Sequence, residues 1–431
     1  MKQQAKRGLA IVLTMLMLLS SLYVVVTAAE PPEIKNIIFL IGDGMGPNHP
    51  EAYRHYTGKT MVMESLAIQG YQDTRSFMGI VTDSGAAATA LACGVRTWVS
   101  AIGVYPGYPL AAVSYPKNIR EVAAEQGMKT GIVCTKVSDD ATPAAFSAHT
   151  FTRGNSEIIN QQQLESGIDV LMGAATGYIT GGNALYGDSD KFLLSAGQYG
   201  YQYAENRAEM NAITSGKMIG QFNEADLKGD YDNNDTPLLS EMTEKAIALL
   251  ENEKGFFLMV EGSTIDTFSH DNNMDGLLDA LAGFDRAVQA ALDYAAARQD
   301  TLVVVTADHE TGGLTYYPNN PSETRYGFTS GGHTTTPVAY YVYAPAGVAN
   351  AFQNGEDLLN TDIPKRIAAM MGWEELFPAT VRTEIGSKLD GPLTLIEQWG
   401  AQIAVMLLAM IPAVVLQWYY VLIDAVGGLI G

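Results

Sequence analysis

The chain has 431 residues, 47% hydrophobic and 17% charged, enough apolar material for one large domain or two ordinary ones and too much for a disordered chain. Its 26 Lys+Arg stand against 47 Asp+Glu, a formal net charge of −21. Such a surface repels polyanions and excludes a nucleic-acid partner held by a basic face. If so acidic a protein handles an anionic substrate it needs local positive charge, and bound metal ions are the obvious source.

Lys2, Lys6 and Arg7 precede an apolar run from Leu9 to Val26, and Thr27, Ala28 and Ala29 offer a small-residue cleavage site. The pattern predicts a secretory signal over residues 1–29 and an exported protein, periplasmic or extracellular. The run is longer than most signals, so an uncleaved membrane anchor is the alternative. After Pro31 and Pro32 the sequence alternates strand-like runs with helical patterns, the rhythm of an α/β fold. Strands are expected at Ile37–Ile41, Gly131–Thr135, Phe256–Val260, Leu302–Thr306 and Val338–Tyr343, nearly continuous apolar runs suited to a sheet covered on both faces. Helices are expected at Asn118–Gln126, Pro237–Asn252, Leu277–Ala297 and Ile363–Met371. Cys93 and Cys134 are too few for a disulfide framework and lie in apolar stretches, which favours buried free thiols.

The Asp/Asn-rich stretch Asn223–Asp235 reads as a solvated loop. Residues 377–400, with Pro378, Gly386, Gly391 and Pro392, read as a linker. In the hydrophobic segment 401–431, Ala401–Ile423 carries no charge and at about 1.5 Å per residue is long enough to span a bilayer. Trp399, Trp418, Tyr419 and Tyr420 resemble interfacial aromatic belts, so membrane association is expected; docking on the domain or self-association is the rival.

Residue types that bind metal follow the strand candidates, where α/β sheets place their ligands. Asp43 follows IIFLIG, Glu261 follows FFLMV, and Asp308 and His309 follow LVVVTA. Asp266 and His270 stand four apart, on one face of a helical turn, and His333 lies among glycines in SGGHTTTP. Mixed Asp/His sets suit zinc, and all-oxygen sets suit magnesium. Ser84 opens the small-residue helical run Gly85–Cys93, where it is either a helix cap or a nucleophile in the field of free N–H groups.

IGDGMG, TDSGAAATALACG, DATPAAFSAHTFTR, VEGSTIDTFSH, TADHETGG and GGHTTTP, in this order over roughly residues 34–376, resemble the alkaline phosphatase family. The resemblance implies a three-layer α/β sandwich with a largely parallel central sheet flanked by helices. It also implies a phosphate monoester hydrolase with two Zn(2+) and one Mg(2+) per active site, acting on small phosphomonoesters through a phosphoserine intermediate. Ser84 would be the nucleophile, Arg153 the phosphate clamp, and Asp83 its positioner. Asp266, His270 and His333 would hold one zinc; Asp43, Asp308, His309 and Ser84 the other; Asp43, Thr142 and Glu261 the magnesium.

Two features depart from the family pattern. After Asp266 the family commonly places Lys or His, but here stands Thr267, although Asp140 is present near the third metal site. Only 23 residues lie between His309 and His333, so the family's crown insertion is short or absent. A short connection leaves the pocket more open and weakens the expectation of a homodimer. A sulfatase reading fails, because Ser84 is followed by Gly-Ala-Ala-Ala rather than x-Pro-x-Arg. The remaining alternatives are a phosphodiesterase of the same superfamily and a non-catalytic zinc- or phosphate-binding surface protein.

Overall fold

The apolar runs read as strands form the middle of one ten-stranded sheet in the computed structural model, which describes residues 33–105, 114–180, 194–229, 235–318 and 325–374. In chain order the strands are β1 (Asn36–Gly42), β2 (Ile68–Asp73), β3 (Lys129–Val137), β4 (Val170–Ala174), β5 (Tyr201–Ala204), β6 (Lys217–Phe222), β7 (Phe256–Gly262), β8 (Thr301–Thr306), β9 (Val338–Tyr343) and β10 (Asp357–Leu359). Their order across the sheet is β10-β2-β9-β8-β1-β7-β3-β4-β6-β5. Nine strands run in one direction; β9 is antiparallel to both β8 and β2. The reversal follows from the connection. The chain leaves β8 at its C-terminal end, passes through His309 and His333 on that edge, and re-enters the sheet from the same side.

Side-chain alternation divides β1 between two cores. Ile38 and Leu40 join Met242, Leu281 and Phe284, carried by α4 (Leu239–Leu250) and α6 (Met274–Arg298). Ile37, Phe39 and Ile41 join Leu91, Val122 and Ile367 on the opposite face, from α1 (Ser84–Cys93), α2 (Ile119–Glu125) and α7 (Asp362–Met370). Two helical layers on one sheet make the three-layer sandwich. Two further short helices matter to the site, α3 (Ala141–Ala145) and α5 (Thr264–His270).

All five expected strands and all four expected helices form, with ends shifted by a few residues. Strands β2, β4, β5, β6 and β10 escaped the sequence reading. β2 (IQGYQD) alternates buried and more exposed residues because it lies one strand from the sheet edge. In β4, Gly173 leaves no side chain where Cys134 Sγ lies 2.7 Å from the position of a Cβ, so its apolar run looks interrupted. Both cysteines are free and buried. The stretch read as a loop from Asn223 contains a short helix, Glu224–Gly229, started by Asn223 Oδ1 accepting from Ala225 N. The segments 1–29, 377–400 and 401–431 lie outside the described residues. Among the described residues no helix is long and apolar enough to cross a membrane.

Candidate active site

Four neighbouring strands, β8-β1-β7-β3, end side by side, and the residues after them meet above the sheet edge. β1 delivers Asp43, β7 carries Glu261 one residue before its end, β8 leads to Asp308 and His309, and β3 leads to Asp140 and Thr142. The turn after β1 requires Gly44, with φ +73°. A Cβ there would lie 2.8 Å from Thr311 Oγ1 and 3.0 Å from Asp266 Oδ1. Gly44 N donates to Asp308 Oδ1 at 3.1 Å and its carbonyl accepts from Thr311 N at 3.0 Å, tying the β1 and β8 turns together. Helix α5 is held by His49, whose Nε2–H donates to Ser269 Oγ at 3.1 Å while Nδ1 accepts from Gly46 N.

Ser84 is the first residue of α1, and its neighbour Asp83 is the cap: Asp83 Oδ1 accepts from Ala86 N at 3.0 Å. This corrects the cap reading of Ser84 and frees its hydroxyl, which donates to His309 Nε2 at 3.2 Å. Asp83 Oδ1 also accepts from Ser100 N, and Oδ2 lies 3.4 Å from Arg153 Nη1. The shorter Arg153 contact is with Asp140, Nη2 to Oδ1 at 2.6 Å. Burial alone would depress the guanidinium, but Asp140 and Asp83 outweigh it and raise its pKa.

Two groups of three ligand-type residues stand beside the serine: Asp43, Asp308 and His309, and Asp266, His270 and His333, with the ligand atoms of each within 4.8 Å of one another. Hydrogen bonds fix the histidine tautomers. His270 Nδ1–H donates to Gly331 O at 2.8 Å, and His333 Nδ1–H to Thr82 O at 2.9 Å. Thr311 Oγ1 donates to Asp266 Oδ1, so it accepts from His309 Nδ1–H at 3.1 Å. All three rings therefore turn an Nε2 lone pair into the site, the arrangement of metal-binding imidazoles oriented by their outer partners.

The donor set tests whether cations fit. His270 Nε2 and His333 Nε2 lie 3.1 Å apart, and Asp266 Oδ1 is 3.3 Å from the first and 3.6 Å from the second. Three acceptors with no proton between them repel unless a cation joins them. In the other group His309 Nε2 lies 3.4 Å from Asp43 Oδ1 and 3.2 Å from Asp308 Oδ2, and both oxygens are buried with no hydrogen-bond partner. The His309 and His333 rings stack with centroids 3.6 Å apart, so the two groups adjoin. Glu261 belongs to neither group; both its carboxylate oxygens and Thr142 Oγ1 are buried and unpartnered. Buried polar atoms are nearly always satisfied, and these oxygens fit a third, all-oxygen cation site.

Burial, followed by the neighbouring carboxylates, raises the Asp43 pKa well above the carboxylate range. Burial pushes Glu261 to about 8 and Asp308 to about 6. The His309 imidazole is driven down to about 4, again chiefly by burial. Without cations the site thus resists ionisation of the groups best suited to bind them.

The sequence-predicted residues converge, with Thr267 adjoining Asp266 on α5, its hydroxyl buried and unpartnered. Three participants were missed. Lys136, at the end of β3, places Nζ 3.6 Å from Asp140 Oδ2 and 3.8 Å from Asp266 Oδ2. Thr311 and His49 orient His309 and α5. Thr311 sits within TADHETGG, a signal available to the sequence reading; Lys136 and His49 carry no local signal.

Fold and site define an α/β protein whose helix-borne serine touches one of two adjoining candidate metal groups and follows an aspartate that contacts an arginine. The alkaline phosphatase family model matches residues 34–344, and this chain belongs to that family. Alkaline phosphatase 3 of Bacillus subtilis is 39% identical over 298 residues, covering 65% of this chain and 62% of that protein. The alkaline phosphatase of Escherichia coli is 33% identical over 334 residues, 64% of this chain and 70% of that protein. Alkaline phosphatase from the Antarctic bacterium TAB5 has the same fold, with TM-score 0.67 at 29% identity over 80% of this chain and 99% of that one. A variant of that protein has Mg bound in its M3 site. The chain spans 62% and 64% of the length of two Bacillus subtilis relatives.

Proposed function

We propose that this chain is an exported, metal-dependent phosphate monoester hydrolase of broad specificity that serves phosphate scavenging through a phosphoserine at Ser84. The observation that carries the reading is the convergence of three Nε2 lone pairs and a set of unpartnered buried carboxylate oxygens around one serine and one arginine. Among the described residues six carboxyl groups (Asp43, Asp83, Asp140, Glu261, Asp266, Asp308) outnumber Lys136 and Arg153 at the site, and once ionised they would repel a phosphate dianion. Cations reverse that sign.

Asp266, His270 and His333 would hold one zinc, and Asp43, Asp308 and His309, with Ser84, the other; their mixed N/O sets suit that metal. Glu261, Thr142 and Asp43 would hold magnesium. When bound, such ions lower the pKa of the serine hydroxyl and supply positive charge at the oxygens that change bonding. Arg153 presents a planar fork to two phosphate oxygens, held in place by Asp83 and Asp140. Ser84 Oγ attacks phosphorus, forming a P–O bond as the ester P–O bond breaks and the leaving group takes a proton. Water then attacks the phosphoserine, returning the serine hydroxyl and inorganic phosphate. Lys2, Lys6 and Arg7 ahead of the apolar run support export, and the short His309–His333 connection supports an open, unselective pocket.

Hydrolysis of p-nitrophenyl phosphate and of bis-p-nitrophenyl phosphate, before and after chelation, tests the reading. The monoester is expected to turn over, the diester far more slowly, with chelation abolishing activity and zinc restoring it. A metal-loaded chain that prefers the diester, or turns over neither, would sink it.

A further inference from the structure

Lys136 is a partly buried cation with its side chain 22% exposed, and it faces the site from the end of β3. Its ammonium approaches two carboxylates that serve different parts of the centre. Asp140 Oδ2 is 3.6 Å away and Asp266 Oδ2 is 3.8 Å away. The Asp140 carboxylate divides its oxygens. Oδ1 accepts from Ala141 N at 2.8 Å and from Arg153 Nη2 at 2.6 Å, while Oδ2 has the ammonium as its nearest cation. Asp140 is also the N-cap of α3, so its backbone is fixed and only side-chain rotation is left to set where Oδ1 points. A cation on Oδ2 opposes that rotation.

We propose that Lys136 is a positioning residue for phosphate recognition, holding Asp140 so that Asp140 in turn holds the Arg153 guanidinium. The inference rests on the reading of the centre as a phosphate site. The relay Lys136–Asp140–Arg153 reaches the guanidinium at Nη2, while Asp83, the cap of the serine's helix, approaches it at Nη1. Two supports on different nitrogens restrain a planar fork more than one would. Thr267 brings no charge to this region, so Lys136 is the lysine that serves it among the described residues.

The test uses the full chain loaded with zinc and magnesium. Binding of inorganic phosphate is measured by calorimetry, with metal content per chain and thermal melting recorded for every variant. Lys136→Met is expected to weaken phosphate binding about tenfold, the scale of one charged contact, with metal content unchanged. Lys136→Arg should recover most of the affinity, because a guanidinium also reaches Asp140. Asp140→Asn should weaken binding at least as much, and the double variant Lys136→Met/Asp140→Asn should bind like Asp140→Asn alone, since both act by one route. An unchanged phosphate affinity in Lys136→Met would overturn the inference, as would additive losses in the double variant. Loss of metal in Lys136→Met would also overturn it, assigning the lysine to Asp266 instead. A metal-loaded wild type that binds no phosphate would overturn the phosphatase reading and this inference together.

Discussion

Asp83 and Ser84 are both good helix caps, and local sequence rules cannot choose between them. The backbone does: Asp83 is extended, with φ −109° and ψ 171°, and its carboxylate takes the Ala86 N–H, so the serine begins the helix and keeps its hydroxyl. The two residues are therefore expected to fail differently. Ser84→Ala should abolish turnover while leaving metal content and melting temperature near wild type. Asp83→Ala should lose about 1 kcal/mol of stability from the cap and raise KM through the slackened Arg153. A Ser84→Ala chain retaining substantial turnover would contradict the first; equal KM in Asp83→Ala would contradict the second. At this scale Asp43, Glu261, Asp308 and His309 were legible because they stand at or just after apolar strands, while Asp266, His270 and His333 were marked by helical spacing, flanking glycines and the family motifs. Lys136 was not, since one of its two partners, Asp266, lies far along the chain and nothing near a strand-end lysine marks it as partly buried.

The elements carry the geometry. The central strands β1, β3, β7, β8 and β9 were readable because strands covered on both faces are continuous apolar runs. The five missed strands are short, polar on one face or broken by glycine, and their pairing is decided by neighbours distant in sequence. Where two strand ends meet, Gly44 joins the β1 turn to Asp308 and Thr311 in a left-handed conformation. Gly44→Ala would drive a methyl group against Thr311 Oγ1 and Asp266 Oδ1. A loss of about 1–3 kcal/mol in stability is expected from backbone strain alone. Metal content should fall as well, because both histidine-bearing groups are touched. A variant that melts like wild type and binds a full complement of metal would show that the turn tolerates a side chain.

At the scale of the whole molecule, the buried carboxylates of the proposed metal sites would make stability depend on bound cations. In the metal-free protein Glu261 is raised to about 8 and Asp308 to about 6, mainly by burial. Between their unfolded values near 4 and these folded values, the folded state holds protons that the unfolded state has released. Stability must then fall as pH rises through that window. The chelated protein is expected to lose melting temperature steadily from about pH 5 to pH 8, and the metal-loaded protein much less, because bound cations favour the ionised carboxylates. Parallel melting curves for the two forms across that window would contradict the assignment of these carboxylates to metal sites.

The central claim is that Ser84 carries the phosphoryl group between substrate and water. Its most direct test is acid quenching of the metal-loaded full chain during turnover of a phosphomonoester, followed by peptide mass spectrometry. The account predicts phosphate on the peptide containing Ser84, absent from the Ser84→Ala variant and from the chelated protein. Active turnover with no phosphate on Ser84, in quenches fast enough to catch a single cycle, would contradict it and favour direct attack by water.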